Sequence, residues 1–387
     1  MTHIQPTRKP VYVHYMPWYA SKAISGAWGW HWTMGKFNPD APAPQGSYQS
    51  ATHDPPAIGL YDSGDLRVLE CQVAQMKLAG ITGIIIDWYG RTDFRDYATM
   101  HRNTELVIGV IRRAGMKFAI CYEDQAIKHQ VDSGKLKASD ALTQAKNDLA
   151  WVQHHWIADK AYCRINGKPL LLVFGPQYFD ASHWKQLRTV LPAHTLILGL
   201  PHLSKANGLD GPYGWPPVHG GKEITPDTWR GYMRELGQRA DAGEPTVAIA
   251  FPGFKDIYDE AGLHDSYGFI DARNGRTLTE TLELGNASTA AVIQLATWND
   301  YGEGTVIEPT KFGGSSRLET VSRFCGSKCS RADLQLPADV YLARVKSEST
   351  ADKAQLNAVA QLLLQGNAKS AANRFLSWKA AGMRVQD

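Results

Sequence analysis

The chain lacks what several functional classes require. Over 387 residues its formal charge is only +3. Both signs are spread throughout, so no basic stripe marks it for nucleic acid or an anionic membrane surface. No apolar stretch approaches the roughly 20 residues that span a bilayer, and no membrane partner is expected. The segment Met1–Pro10 contains no apolar core of a secretion signal. As it stands the chain reads as cytoplasmic, or as secreted or periplasmic if a signal was removed from it. Cysteines number five, and no Cys/His spacing resembles a zinc site. Cys71, Cys121 and Cys163 fall inside predicted helices or strands, where a thiol behaves as a small hydrophobe; Cys325 and Cys329 are close enough in sequence to bridge. Internal repeats and low-complexity tracts are absent. No Gly-rich phosphate turn follows the first strand, which counts against a dinucleotide-binding sheet.

What the chain has in quantity is aromatic residues, with 12 Trp and 16 Tyr. Their faces stack on the C–H faces of sugar rings while their polar edges bond hydroxyls. Short, continuous apolar runs alternate with amphipathic segments. Strands are predicted at Pro10–Tyr15, Gly83–Asp87, Lys117–Tyr122, Pro169–Phe174, Thr195–Leu200, weakly at Tyr213–Trp215, then at Thr246–Phe251 and Ala291–Thr297. Helical patterns fall between them at Gly64–Ala79, Thr99–Ala114, Ala138–Ile157, Ser182–Val190, Thr228–Ala242 and Thr277–Glu283. Strands that are apolar on both faces belong to a parallel sheet covered by helices. About eight strand–helix units predict an α/β fold, a (β/α)8 TIM barrel. From about Ala338 apolar residues recur at three- and four-residue spacing, which predicts helices that need a partner surface. The expected division is a barrel over 1–330 and a C-terminal helical appendage over 331–387, packed on the barrel.

Barrel catalysis sits at the C-terminal ends of the strands. Those ends carry His14-Tyr-Met-Pro-Trp-Tyr19 with a following loop containing Trp30, His31 and Trp32, then Asp87-Trp-Tyr89, Tyr122-Glu-Asp-Gln125, Trp215 and Trp298-Asn-Asp-Tyr-Gly-Glu303. The eighth is the most informative. A buried strand stops at an aromatic and then presents Asp300 and Glu303 in a Gly-punctuated turn, with a third acid at Glu308. Two acids on one mouth are what glycosidic cleavage needs, one to protonate the leaving oxygen and one to serve the other face. Capping of the turn is the competing role for either acid alone.

Tyr12–Tyr19 with Trp30-His-Trp32, Asp87-Trp-Tyr89 and Trp298-Asn-Asp-Tyr-Gly-Glu-Gly-Thr-Val-Ile-Glu-Pro309 resemble glycoside hydrolase families 71 and 99, related TIM barrels that act on α-linked glycans. The Trp-Asn-Asp-Tyr-Gly-Glu part is similar to family 71, the α-1,3-glucanases. The Glu-Gly-Thr-x-Ile-Glu-Pro part is similar to family 99, the endo-α-mannosidases and endo-α-mannanases. The resemblance covers about residues 10–310. It implies a catalytic pair on Asp300 and Glu303, with Glu303 as general acid/base. Asp300 would be a general base, or the group that deprotonates a sugar 2-hydroxyl to form a 1,2-anhydro intermediate. Family 71 also carries a second-strand acid that falls on Asp87. Family 99 has Glu in place of Asp300, and its third-strand Glu-Pro-Tyr is Glu123-Asp-Gln in this chain.

The expected activity is therefore hydrolysis of an α-glucan or α-mannan type chain by Glu303, Asp300 and Asp87, with no cofactor and no metal. Sugar contacts are expected from Tyr15, Trp18, Tyr19, Trp30, His31, Trp32, Trp88, Tyr89, Tyr122, Glu123, Gln125, Trp215, Trp298, Asn299 and Tyr301. Two rivals remain. A carbohydrate-binding barrel without chemistry would keep the cleft and release no reducing ends. A metal-dependent hydrolase would gather Asp87, Glu123, Asp124 and His residues around an ion.

Overall fold

A computed structural model describes residues 5–43 and 49–383. Eight parallel strands form its centre: β1 (Val11–Tyr15), β2 (Gly83–Trp88), β3 (Lys117–Tyr122), β4 (Lys168–Val173), β5 (Leu196–Gly199), β6 (Gly211–Pro212), β7 (Val247–Ala250) and β8 (Val292–Leu295). Each pairs with its chain neighbour from β1 to β6, β8 pairs with both β1 and β7, and a Tyr213–Val247 bridge joins the remaining edges. The sheet is thus a closed (β/α)8 barrel.

The strands are apolar on both faces because each face meets a core. Tyr12, Ile85, Leu172, Leu198 and Tyr213 fill the barrel interior, whereas Val13, Ile84, Ile86, Leu171 and Ile197 meet the helices outside. The two-residue period puts His14 above Tyr12, Asp87 above Ile85 and Cys121 above Ala119 on the inner side. Polar groups are tolerated there only near the mouth, where a ligand or solvent can meet them.

Surrounding helices are α1 (Leu66–Leu78), α2 (Tyr97–Arg113), α3 (Gln125–Asp132), α4 (Ala141–Val152), α5 (Ala181–Leu187), α6 (Pro226–Asp241), α7 (Arg276–Ala287) and α8 (Ser316–Phe324). Three more follow: α9 (Arg331–Lys346), α10 (Thr350–Leu364) and α11 (Ala368–Met383). Sequence periodicity predicts one helix over Ala138–Ile157, but it resolves into a 3-10 turn, α4 and a π-helical turn at Gln153–Ile157. His154 and His155 lie exposed on that turn. The helix expected from about Ala338 starts seven residues earlier. Ser330 and Asp333 form a reciprocal capping box, and Pro337 is carried in the second turn.

The last three helices share the barrel's principal core. Leu334, Leu356, Val359 and Leu363 pack in the same apolar cluster as Leu69 and Val73 of α1. Buried Glu70 of α1 is ion-paired with Arg344 of α9 at 2.7 Å and Arg113 of α2 at 2.8 Å. A buried carboxylate needs such partners, and this one ties α9 to the barrel layer. All five cysteines are free thiols, so Cys325 and Cys329 do not bridge. A small sheet of Lys222–Glu223, Gly268–Ile270 and Phe254–Lys255 lies off the barrel. Its Lys255 amide donates to the Glu303 carbonyl at 2.9 Å, so it braces the turn after β8.

Candidate active site

The turn after β8 is built by its own side chains. The Asp300 amide donates to Thr297 Oγ1 at 2.8 Å, and the Thr297 amide donates to the Thr305 carbonyl at 2.7 Å. Gly304 has a left-handed backbone (φ 68°), and a Cβ there would lie 2.8 Å from the Lys255 carbonyl. The glycine is what lets the bracing strand come so close. Asn299 accepts from the Met16 amide and donates to the Met16 carbonyl, both at 2.9 Å, which locks the turn to the end of β1.

Residues of this turn then serve opposite purposes. Trp298, Asn299, Tyr301 and Glu308 point into packed surroundings and are 3 % exposed or less. Glu308 accepts from Tyr61 at 2.9 Å, Tyr301 at 2.8 Å and Gln72 at 2.8 Å, and Tyr15 in turn donates to Gln72 at 2.8 Å. The third acid of the motif is therefore a fully bonded structural hub. Asp300 and Glu303 instead line a cavity of about 1680 Å³ at the C-terminal ends of the strands. That exceeds the roughly 1,000 Å³ upper end of ordinary small-molecule pockets.

Asp87 and Glu123 reach the same cavity from β2 and from the loop after β3. Among the described residues none of the four acids is in an ion pair. Both oxygens of Asp87 and Oε2 of Glu303 are buried without a hydrogen-bond partner. Burial, reinforced by the Asp300, Asp256 and Asp87 charges, holds the Glu303 carboxyl well above its ordinary range. Burial and the Asp300 charge do the same to Asp87, and burial and Asp87 to Glu123. Asp300 is pushed up by burial to about 7, with the Glu303 and Gly302 amides pulling the other way. The Glu303 amide donates to Asp300 Oδ1 at 3.1 Å, so Asp300 caps the turn and faces the cavity at once. Acids whose surroundings set their protonation apart are what acid–base work at neutral pH requires.

Of the aromatic and polar residues expected to contact sugar, Trp18, Trp30, His31, Tyr89, Gln125 and Trp215 line the cavity with Glu123. Trp18 and His31 stack with ring centres 4.1 Å apart, and His31 Nε2 lies 3.3 Å from Asp96. The structure places the others behind the wall. Tyr15, Tyr19, Trp32, Trp88, Tyr122, Trp298, Asn299 and Tyr301 are buried and outside the cavity lining. Trp32 donates to the Tyr61 carbonyl at 2.8 Å, and Tyr19 donates to the Asn299 carbonyl at 2.8 Å. These side chains have no face left for a ring, and they act by holding the wall in place.

Sequence reasoning placed His14 at the end of the first strand without giving it a role, although it lines the cavity floor. Missed altogether were Tyr258, His264 and Tyr267, which form a ring cluster on the wall with centres 4.7–5.4 Å apart. His14 could have been found from the inward period of the first strand; the Tyr258–Tyr267 loop carries no periodic signal. His14, Asp87 and Cys121 are the group of possible metal ligands among the described residues, with ligand atoms within 4.8 Å of one another.

No family model matches the chain. It is 23% identical over 295 residues to the protein WxcX of two strains of Xanthomonas campestris pv. campestris, an alignment covering 66% of this chain and 41% of WxcX. The chain thus spans about two fifths of the length of those relatives. Among solved structures it is similar to the family 99 endo-α-mannosidase of Bacteroides thetaiotaomicron in complex with bis-tris propane. That match has a TM-score of 0.63 and 17% identity over 82% of this chain and 96% of the other. A second structure of that endo-α-mannosidase gives a TM-score of 0.61 and 18% identity over 83% and 98%. A glycoside hydrolase-like protein gives 0.57 and 14% over 84% and 96%. At such identities the likeness is one of fold: the chain has the barrel fold of the family 99 glycoside hydrolases.

Proposed function

We propose that the chain is a glycoside hydrolase that cleaves α-linked glycan chains of the α-glucan or α-mannan type. The observation that carries this is Glu303, a buried acid on the cavity wall with an oxygen free of partners, beside an Asp300 that titrates near neutrality. Glu303, kept neutral by burial and by neighbouring negative charge, donates its proton to the leaving glycosidic oxygen. Asp300, ionised, activates a water or the sugar 2-hydroxyl. Asp87 and Glu123 bind hydroxyls and, when charged, help keep Glu303 protonated. Trp18, Trp30, Tyr89 and Trp215 supply ring faces along a cavity roomy enough for several sugar units.

The resemblance of Trp298–Pro309 to families 71 and 99 and the shared barrel fold support this assignment; the substrate class follows from them by analogy. The test is a screen of α-glucans, α-mannans and mixed bacterial polysaccharides for new reducing ends, with the product anomer read by NMR. Release that disappears in Glu303→Gln supports the assignment. Full activity in that variant refutes the acid role. Glycan binding with no release from any of them makes the chain a binding barrel instead.

A further inference from the structure

His14 presents a lone pair whose direction is fixed by its neighbours. Gln294 of β8 donates Nε2 to the Gly214 carbonyl at 3.0 Å, and this sets the orientation of its amide. Its Oε1 is then turned to His14 Nδ1 at 3.3 Å. An amide oxygen only accepts, so the ring proton is on Nδ1. Burial pulls the His14 pKa down to about 4, and the ring is neutral at pH 7. Nε2 is consequently a bare acceptor, fully buried and without a partner.

One strand over, both Asp87 oxygens are also buried and unpartnered. The two side chains approach within 4.8 Å without a hydrogen bond between them. His14 Nε2 can only accept, and the Asp87 carboxyl, whose pKa burial and the Asp300 charge raise, keeps an accepting oxygen in either protonation state; with no bond joining the two, both call for partners from elsewhere. Both residues line the cavity, and those partners can arrive from it. Cys121, the third member of the group, is outside the cavity lining, and its sulfur sits 3.7 Å from the Tyr213 hydroxyl.

We propose that His14 Nε2 and the Asp87 carboxyl form a hydroxyl-binding floor that meets O–H groups of one sugar ring and selects the sugar that carries them there. The identity of the ligand rests on the carbohydrate reading of the cavity; the fixed tautomer does not. A site built to bind a hydroxyl rejects the analogue lacking it strongly, because its buried polar groups are then left unpaired. Gln294 is a positioning residue that acts through His14.

The probe is bis-tris propane, a hydroxyl-rich amine. In wild-type protein carrying 15N-labelled histidine, long-range 1H–15N NMR should show His14 Nδ1 protonated and Nε2 bare, with Nε2 moving to a hydrogen-bonded shift as bis-tris propane is added. In calorimetry His14→Phe, which keeps a ring in the buried site, should bind the probe at least tenfold more weakly, with a retained cooperative thermal transition showing that it is folded. Three results overturn the assignment: an Nε2 that carries the proton in the free protein, no Nε2 shift with the probe, or equal affinity of the two proteins. A fourth is a Co2+ titration of the wild type giving one bound ion and a sulfur charge-transfer band that Cys121→Ser abolishes. The group would then be a metal site. None of these outcomes bears on reducing-end release, so failure of the floor and failure of the hydrolase assignment are distinguishable.

Discussion

Glu303 and Glu308 stand five residues apart in one turn, and both are buried, 9 % and 3 % exposed. Glu308 has both oxygens bonded, by two tyrosines and a glutamine, and lies outside the cavity. Glu303 has an oxygen with no partner and faces the cavity. Burial raises the carboxyl pKa of both, Glu308 to about 7 and Glu303 well above its ordinary value. A raised pKa therefore does not separate structural from reactive acids. Hydrogen-bond satisfaction does: a protein that satisfies a buried acid is using it as a joint, and one that leaves it bare at a cavity has aimed it at something else.

The sharpest break of this contrast comes from neutralising each acid. Glu303→Gln should lower reducing-end release by at least about 10³-fold, the scale of losing a general acid, while the melting temperature stays within a few degrees. Glu308→Gln should do the reverse. An amide NH2 turned toward the tyrosine hydroxyls or Gln72 leaves buried bonds unmade, at a cost of about 1–3 kcal/mol in denaturant unfolding, with turnover reduced only as far as the turn loosens.

The pH response separates the two acids further. Asp300 and Glu308 are both pushed up to about 7 in the fold, against about 4 for free carboxyls. Between those values the folded chain holds protons that the unfolded chain has released. Their contribution to stability is complete below about pH 4, falls as pH climbs to about 7 and is flat above. Urea midpoints measured from pH 4 to 8 should show that decline, and Glu308→Gln should make it shallower by Glu308's share. Turnover should instead rise as Asp300 ionises near pH 7 and fall at higher pH as Glu303 loses its proton, and Asp300→Asn should remove the acidic limb from any residual rate.

The smallest effect is expected at the rim. Trp30 lines the cavity and is 48% exposed, so Trp30→Ala should raise KM several-fold, the scale of a stacking contact of about 1 kcal/mol, with kcat and stability nearly unchanged. Behind the wall Trp298 is fully buried, and Trp298→Ala should cost about 3–5 kcal/mol in stability.

The same contrast shows what was legible in the sequence. The barrel was, because strands such as Ile84-Ile-Ile86 are apolar on both faces and recur with helices between them. The sixth strand came out displaced: Gly211 and Pro212 read as turn formers, yet they pair with β5, while Tyr213 donates its amide to the Gly199 carbonyl at 2.9 Å and makes the closing bridge to Val247. The start of α9 was hidden by Pro337, which reads as a breaker although the capping box lies seven residues before it. At the cavity, Asp300, Glu303, Asp87 and Glu123 were legible as acids at strand ends. Which aromatics would face the cavity was not. Trp30 and Trp32 are two residues apart in one short helix, one exposed and one buried, and only the packing of Tyr19, Tyr61 and Tyr301 around Trp32 decides between them.

The most direct measurement pairs reducing-end release with thermal unfolding for Glu303→Gln and Glu308→Gln on a polysaccharide that the wild type cleaves. Glu303→Gln should be inactive and as stable as the wild type, and Glu308→Gln active but less stable. Full activity in Glu303→Gln, or loss of activity at full stability in Glu308→Gln, would contradict the division of labour between the two acids.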